Sequence, residues 1–174
     1  KVVVDMLAGE HPEVVVGIHT HNDASCADAN SIAAVESGAR HVQGTLVGFG
    51  ERCGNACLAT IIPTLQLKMG YEVIDEEALS RLFLISHSVA EIANVPIPHG
   101  TAYIGRSAFT HKGGMHIDGI GKNPKSFEHI DPEAVGNERR MLMSEVAGRA
   151  TILKRIQRYA PELGKEAPET RQII

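Results

Sequence analysis

The spacing of apolar residues divides the chain in two. Up to residue 70, short β-branched runs alternate with helical stretches, and beyond it the apolar positions recur mainly at helical spacing. Residues 1–8 read as the last turns of a helix that Gly9 stops, and Pro12 opens the next segment. The run over 13–19 is apolar without alternation, which predicts a strand buried on both faces, as in a parallel sheet. A helix is predicted over 26–36, with Ala29, Ile32, Ala33 and Val35 on one face and Gly38 as its cap. Residues 41–46 predict a second strand, and a Gly-rich loop covers 48–55. Another helix then runs to Lys68, kinked at Pro63 and stopped by Gly70. Strand, polar loop and helix, given twice, form a β/α repeat, whose functional loops lie at the C-terminal ends of parallel strands.

After Gly70 the pattern is helical. Asp75 is placed to cap a helix over 75–94, with Glu76 and Glu77 in its first turn and Leu79, Leu82, Phe83, Val89, Ile92 and Ala93 at helical spacing. Pro96 and Pro98 break it. Residues 99–125, rich in Gly and His, read as extended loop with short helical pieces. A further helix is predicted over 144–159, interrupted by Gly148 and ended by Pro161, and the tail from 162 reads as frayed or linker-like.

Composition narrows the function. The 174 residues suffice for one ordinary domain, and Lys1 opens the chain without a Met, as expected of a piece excised from a longer protein. A net charge of −4 argues against a nucleic-acid or anionic-membrane partner, since both need a basic face. No apolar run approaches a membrane span and the start lacks a signal-peptide layout, so a cytoplasmic location is expected. The three cysteines fit a reducing compartment. Cys53 and Cys57, four apart, are a weak zinc signal without further thiol or His partners. Nine His and 17 Gly against seven aromatics suggest a polar site built from loops.

Three clusters carry candidate chemistry. On a strand, residues i and i+2 share a face, so His19 and His21 can converge on one metal ion; the alternative is that either ring only caps a loop. Asn22 and Asp23 follow directly and are placed to orient the imidazoles. In the Gly-rich loop, Gly48, Gly50 and Gly54 allow close backbone approach to a ligand, and Glu51-Arg52 brings a charged pair to the rim. Asn55 offers a carbonyl oxygen suited to a hard divalent ion, although its position in the sequence favours a helix N-cap. The third cluster, residues 109–119, holds His116 and Asp118 between glycines. It reads as an acid/base imidazole with a carboxylate partner on a mobile loop, or as a solvated surface loop. The loop lacks the spacing of a dinucleotide fingerprint, and no P-loop, nucleophile elbow or HExxH zinc motif occurs.

Taken in order, His19-Thr20-His21-Asn22-Asp23, Ala29-Asn30, Gly38-Ala39, Gly44-Thr45 and the loop Gly48 to Asn55 resemble the second half of the barrel in the 2-isopropylmalate, homocitrate and citramalate synthase family. Residues 107–116 and 129–137 resemble the linker subdomains that follow it, and the tract 129–149 is most similar to a citramalate synthase branch. The resemblance implies an α/β fold in which residues 1–70 are the last two strands and helices of a (β/α)₈ TIM barrel. Residues 71–128 and 129–174 would then be two mostly helical subdomains.

The resemblance also implies roles. His19 and His21 would bind a catalytic divalent metal (zinc, manganese, magnesium or cobalt) with Asn55 at or near it. Asn22, Asp23, Gly50, Glu51 and Arg52 would bind substrate or cofactor. His116, with Asp118 beside it, would be the catalytic group, reaching the partner's active site in a homodimer that exchanges subdomains. Such enzymes join acetyl-CoA to a 2-oxo acid and hydrolyse the thioester. Two departures stand out: Ser25 occupies a position where the family usually has Gly, and the Asp that completes the family's metal site has no counterpart in these residues. The isolated piece is therefore expected to be inactive, and to oligomerise through its open sheet edges. Alternative readings are a lyase of the same barrel type that cleaves a hydroxyacyl-CoA, or a catalytically silent dimerisation piece.

Overall fold

The computed structural model describes residues 2–142 and 149–173. Helix α1, Val2–Glu10, runs through Gly9 instead of stopping there. Strand β1 is shorter than the apolar run that predicted it. It covers Gly17–His19, while Val14 is 53% and Val15 73% exposed. A strand is buried on both faces only where helices and neighbouring strands flank it. Among the described residues, β1 has one neighbour, β2 (His41–Gln43), which runs parallel to it with Ile18 opposite Val42.

Helix α2, Ala27–Glu36, crosses between the two strands. Its buried face is rotated from the predicted one: Ala29 is exposed, and Ala27, Ser31, Ala34 and Val35 are buried. The Thr20 hydroxyl sets this rotation, donating to the Ala27 carbonyl at 3.1 Å and lying 2.9 Å from the Ser31 hydroxyl. Helix α3, Leu58–Pro63, widens into a π-helical turn over Thr64–Lys68. The change of helix type falls at Pro63, the residue expected to kink the helix, since proline has no N–H to continue the ladder. Gly70, at φ +75, ends the segment.

The single helix expected over 75–94 is two, α4 (Glu76–Leu79) and α5 (Leu82–Ile92). Asp75 caps the first as predicted, accepting from the Ala78 N–H at 2.6 Å. At the break the backbone of Gly136 presses in. A Cβ on that glycine, which has φ +71, would lie 2.1 Å from the Ser80 carbonyl oxygen.

Strand β3 (Thr110–His111) pairs in parallel with β4 (Arg140–Met141), and between them come α6 (Gly114–Lys122) and two short 3₁₀ turns. The predicted loop over 99–125 thus contains a nine-residue helix, held down by buried Ile117 and Ile120. Helix α7, Arg149–Gln157, is the described part of the helix expected over 144–159; the stretch with Gly148 lies outside the described residues. The tail is not frayed: α8 spans Pro168–Ile173 with Thr170 buried.

Two apolar clusters hold these elements together. One joins α2 and α3 through Ala27, Val35, Ala56, Ile61 and Leu65. The other packs Ala59 of α3 against Leu79, Leu82, Tyr103, Ile104, Phe109 and Val135. Helix α3 contributes to both and so fastens the strand-and-loop half to the helical half. Among the described residues the strands form two separate parallel pairs and no closed barrel.

Candidate metal centre

The loops that leave β1 and β2 are laced side by side. His21 and Asn55 form an isolated antiparallel bridge. The Ala56 N–H donates to Thr20 O at 3.1 Å, and the Asn22 N–H donates to Gly54 O at 2.9 Å. Residues opposite each other across a bridge share a face, as do residues i and i+2, so His19, His21 and Asn55 project to one side. The Nε2 atoms of His19 and His21 lie 3.4 Å apart, with the rings edge to face. Two nitrogens each about 2.0–2.1 Å from one tetrahedral ion are about 3.4 Å apart. The pair therefore has the spacing of two ligands to a single metal.

Asn55, opposite His21 across the bridge, carries an oxygen of the kind that can bind a hard cation. Its Nδ2 donates to the Phe49 carbonyl at 3.2 Å, which fixes the amide orientation, since the flipped amide would set two acceptors against each other. Its Oδ1 is buried with no hydrogen-bond partner. Leaving such an oxygen unpaired costs about 1–3 kcal/mol, a cost that a bound cation removes. Two imidazoles and one orphaned carbonyl oxygen fit a divalent ion that accepts mixed nitrogen and oxygen ligands. Among the described residues no group of three or more His, Cys, Asp and Glu is set to hold a metal, so the carboxylate of a complete site is not in this set. No cysteine cluster forms either: Cys26 and Cys53 are exposed, and burial pushes the Cys57 thiol up from its ordinary pKa.

The loop glycines make close approaches to the loop's own atoms. A Cβ on Gly50 would lie 2.6 Å from Asn55 Nδ2, and one on Gly54, where φ is +94, would lie 2.2 Å from the Gly48 carbonyl oxygen. Gly54→Ala is expected to cost roughly 1–3 kcal/mol from backbone strain alone, read as a lowered denaturant midpoint. An unchanged midpoint would show that the loop accommodates the methyl group.

The other rim residues are engaged. Asn22 Oδ1 accepts from the Ala27 N–H at 3.1 Å, at the start of α2. Asp23 accepts from Arg52 Nε at 2.6 Å and from Arg52 NH2 at 2.9 Å. The hydrogen bond from Arg52 holds the Asp23 carboxyl below its ordinary pKa. Glu51 projects into solvent, 4.0 Å from Arg52. Ser25 takes φ +56, so the turn keeps the conformation for which glycine is suited, at a strain of about 1–3 kcal/mol.

His116 and Asp118 lie on α6, not on an open loop, and they do not pair with each other. Helical residues i and i+2 do not face one another, and Asp118 instead accepts from Lys122 at 2.6 Å. The ring neighbours of His116 are Phe127, stacked at 4.2 Å, and His111 at 6.3 Å. Phe127 fits because Gly119 has no side chain: a Cβ there would lie 2.4 Å from the Phe127 ring.

Sequence reasoning missed three parts. Phe127 is one. Asp28 is the second, its carboxylate accepting from the Cys57 N–H at 2.7 Å and tying α2 to the start of α3. The third is buried Glu128, which lies 3.1 Å from His111 Nε2 and accepts two hydrogen bonds from Arg139. Asp28 carries a faint signal, an acidic residue in the first turn of a helix. The others depend on contacts between distant segments.

Parallel strands joined by a helical crossover, with polar residues gathered at their C-terminal ends, define a protein of the β/α-repeat class. The chain belongs to the HMGL-like family, whose profile matches residues 1–89, and residues 103–172 match the family described as homocitrate synthase post-HMGL domain-like. An (R)-citramalate synthase of Aquifex aeolicus (strain VF5) is 48% identical over 159 residues, covering 91% of this chain and 30% of that protein. An (R)-citramalate synthase of Synechocystis sp. (strain ATCC 27184 / PCC 6803 / Kazusa) is 47% identical, covering 91% of this chain and 29% of its own length. A 2-isopropylmalate synthase of Sulfolobus acidocaldarius is 43% identical over 134 residues, covering 77% of this chain and 34% of that protein. The chain thus spans about 30% of the length of the first of these relatives. No described helix is long and apolar enough to cross a membrane.

Proposed function

We propose that this chain is part of a divalent-metal-dependent synthase that condenses acetyl-CoA with a 2-oxo acid, most similar to the (R)-citramalate type, and acts in the cytoplasm. In this reading residues 1–70 close a (β/α)₈ barrel, 71–128 form a first helical subdomain and 129–174 begin a second. The observation that carries it is the 3.4 Å separation of His19 Nε2 and His21 Nε2, with Asn55, whose Oδ1 has no hydrogen-bond partner, bridged to His21.

His19, His21 and Asn55 would hold the metal. When bound, the ion supplies positive charge that polarises the ketone of the 2-oxo acid. The chain's own residues do the remaining work. The Asn22 cap and the Gly-rich loop keep the donors in register, and Glu51 stands at the rim where substrate enters. His116, stacked on Phe127, carries the imidazole that moves a proton, serving the partner's site in a homodimer with exchanged subdomains. Asp118, on the same helix, is neutralised by Lys122 and stands beside the imidazole as a polar neighbour. Thioester hydrolysis after carbon–carbon bond formation makes the condensation irreversible.

The test is thiol release by the full-length protein, supplied with acetyl-CoA, a divalent metal and a panel of short 2-oxo acids. Release of free CoA that requires one of those acids is the expected result. Cleavage of a hydroxyacyl-CoA, with no condensation in any pairing, would overturn it in favour of a lyase.

A further inference from the structure

The two loops that carry the candidate metal donors come from different β/α units, 29 residues apart at their charged contact. Their backbone lacing is short: the His21–Asn55 bridge and the hydrogen bonds from Asn22 to Gly54 and from Ala56 to Thr20. Next to that lacing, one side-chain contact joins them in a planar two-point fork, Arg52 Nε and NH2 on the two oxygens of Asp23. Such a fork fixes the relative orientation of its two partners as well as their separation. Asp23 lies two residues past His21, and Arg52 three before Asn55. Arg52 also holds φ +57, a conformation that a non-glycine residue rarely adopts, and in it the guanidinium reaches the neighbouring loop.

We propose that Asp23 and Arg52 are positioning residues, a latch between the two loops that sets His19 and His21 against Asn55, and that neither binds substrate. The metal half of this inference rests on the function proposed above; the loop half does not. Both carboxylate oxygens of Asp23 are occupied, and the nearest further carboxylate to Arg52 is that of Glu51 at 4.0 Å. The fork takes up Arg52 Nε and Nη2, so the guanidinium edge left for a 2-oxo acid is the Nη1 side, which Glu51 faces at 4.0 Å. The pair is half exposed, so its contribution to global stability is small. Its effect is local, on the orientation of two loops that the backbone lacing already holds side by side.

The experiment compares the full-length protein with Arg52→Ala, Asp23→Asn and the exchanged pair Asp23→Arg/Arg52→Asp. It uses amide hydrogen exchange at Asn22 and Ala56, and titration with cobalt(II) followed by its visible absorption. Each single variant is expected to speed exchange at both amides and to weaken cobalt binding about 10- to 100-fold, the usual effect of losing a partner behind the ligands. The thermal midpoint should stay close to wild type, and the exchanged pair should recover part of the affinity. Unchanged exchange in Arg52→Ala and Asp23→Asn overturns the latch, as does a raised KM for the 2-oxo acid at unaltered cobalt affinity. Should Arg52→Ala fail to fold, Asp23→Asn, nearly the same size, carries the same comparison. If the wild-type protein takes up no cobalt, the metal reading falls and the exchange measurement still decides the latch.

Discussion

Replacing His19 by Ala in the full-length protein is expected to weaken divalent-metal binding by more than about 100-fold, since loss of groups behind the ligands alone costs about 10–100-fold. Condensing activity should fall with it. His19 and His21 form the closest approach of two potential ligands at the strand ends, with Nε2 atoms 3.4 Å apart and both rings exposed. Removing an exposed ring leaves the core unchanged, so the thermal midpoint of metal-free protein should barely move. His21→Ala should match His19→Ala in affinity, though its bridge to Asn55 is made by backbone and should persist. Asn55→Ala should weaken binding less steeply, because an amide oxygen is a weaker donor than an imidazole, and the Phe49 carbonyl that Asn55 also engages keeps the Thr45 hydroxyl at 2.7 Å. Isothermal titration with zinc and with manganese reads all three. Wild-type affinity in His19→Ala would remove His19 from the ligand set.

Glu128→Gln is expected to destabilise the fold by about 3 kcal/mol, the typical cost of breaking a buried ion pair by removing one partner. Glu128 is 6% exposed and accepts from Arg139 through both oxygens, with His111 Nε2 3.1 Å away. Gln can keep one acceptor. Its NH₂ then faces donors, and the Arg139 charge loses its partner. The network joins the segment after α6 to β3 and to the approach to β4, so its loss loosens the Phe127 support under His116. Burial pushes the Glu128 carboxyl up, yet Arg139 and His111 together hold it below its ordinary value of 4.5. A lowered folded pKa gives stability that is fully present above the unfolded pKa and is lost as pH falls through the folded one. The wild-type advantage over Glu128→Gln should therefore shrink as pH falls below the ordinary carboxyl value, measured by urea unfolding across pH. An advantage that grew on acidification would contradict this assignment.

The parts legible in the sequence are those set by local rules. The Asp75 cap and the stops at Gly38 and Gly70 follow from backbone conformation within a few residues, and all appear in the structure, as does a change from α to π helix at Pro63. The shared face of His19 and His21 follows from the two-residue repeat of an extended chain. Elsewhere local pattern misled. The apolar run over 13–19 is strand for only its last three residues, because burial on both faces requires neighbours that the run itself does not specify. The helix over 75–94 breaks where Gly136, more than fifty residues on, presses against the Ser80 carbonyl. The Gly and His content of 99–125 suggested loop, while Ile117 and Ile120 supply the apolar stripe that makes α6 a helix once a core is present to receive it.

The sequence by itself determined the kind of protein this is: which residues can chelate, which loops carry them, and the order of motifs that marks the HMGL-like family. Tertiary structure alone decided how those residues are used. It turned Asp23 and Arg52 toward each other, set Gly50 and Gly54 against the loop's own atoms, and separated Asp118 from His116. It also left Asn55 Oδ1 among the few buried polar atoms of the described residues without a hydrogen-bond partner. The physical reason is that donor type and strand-end position are properties of neighbouring residues. Whether a polar group is satisfied depends on what the rest of the chain brings within about 3 Å of it.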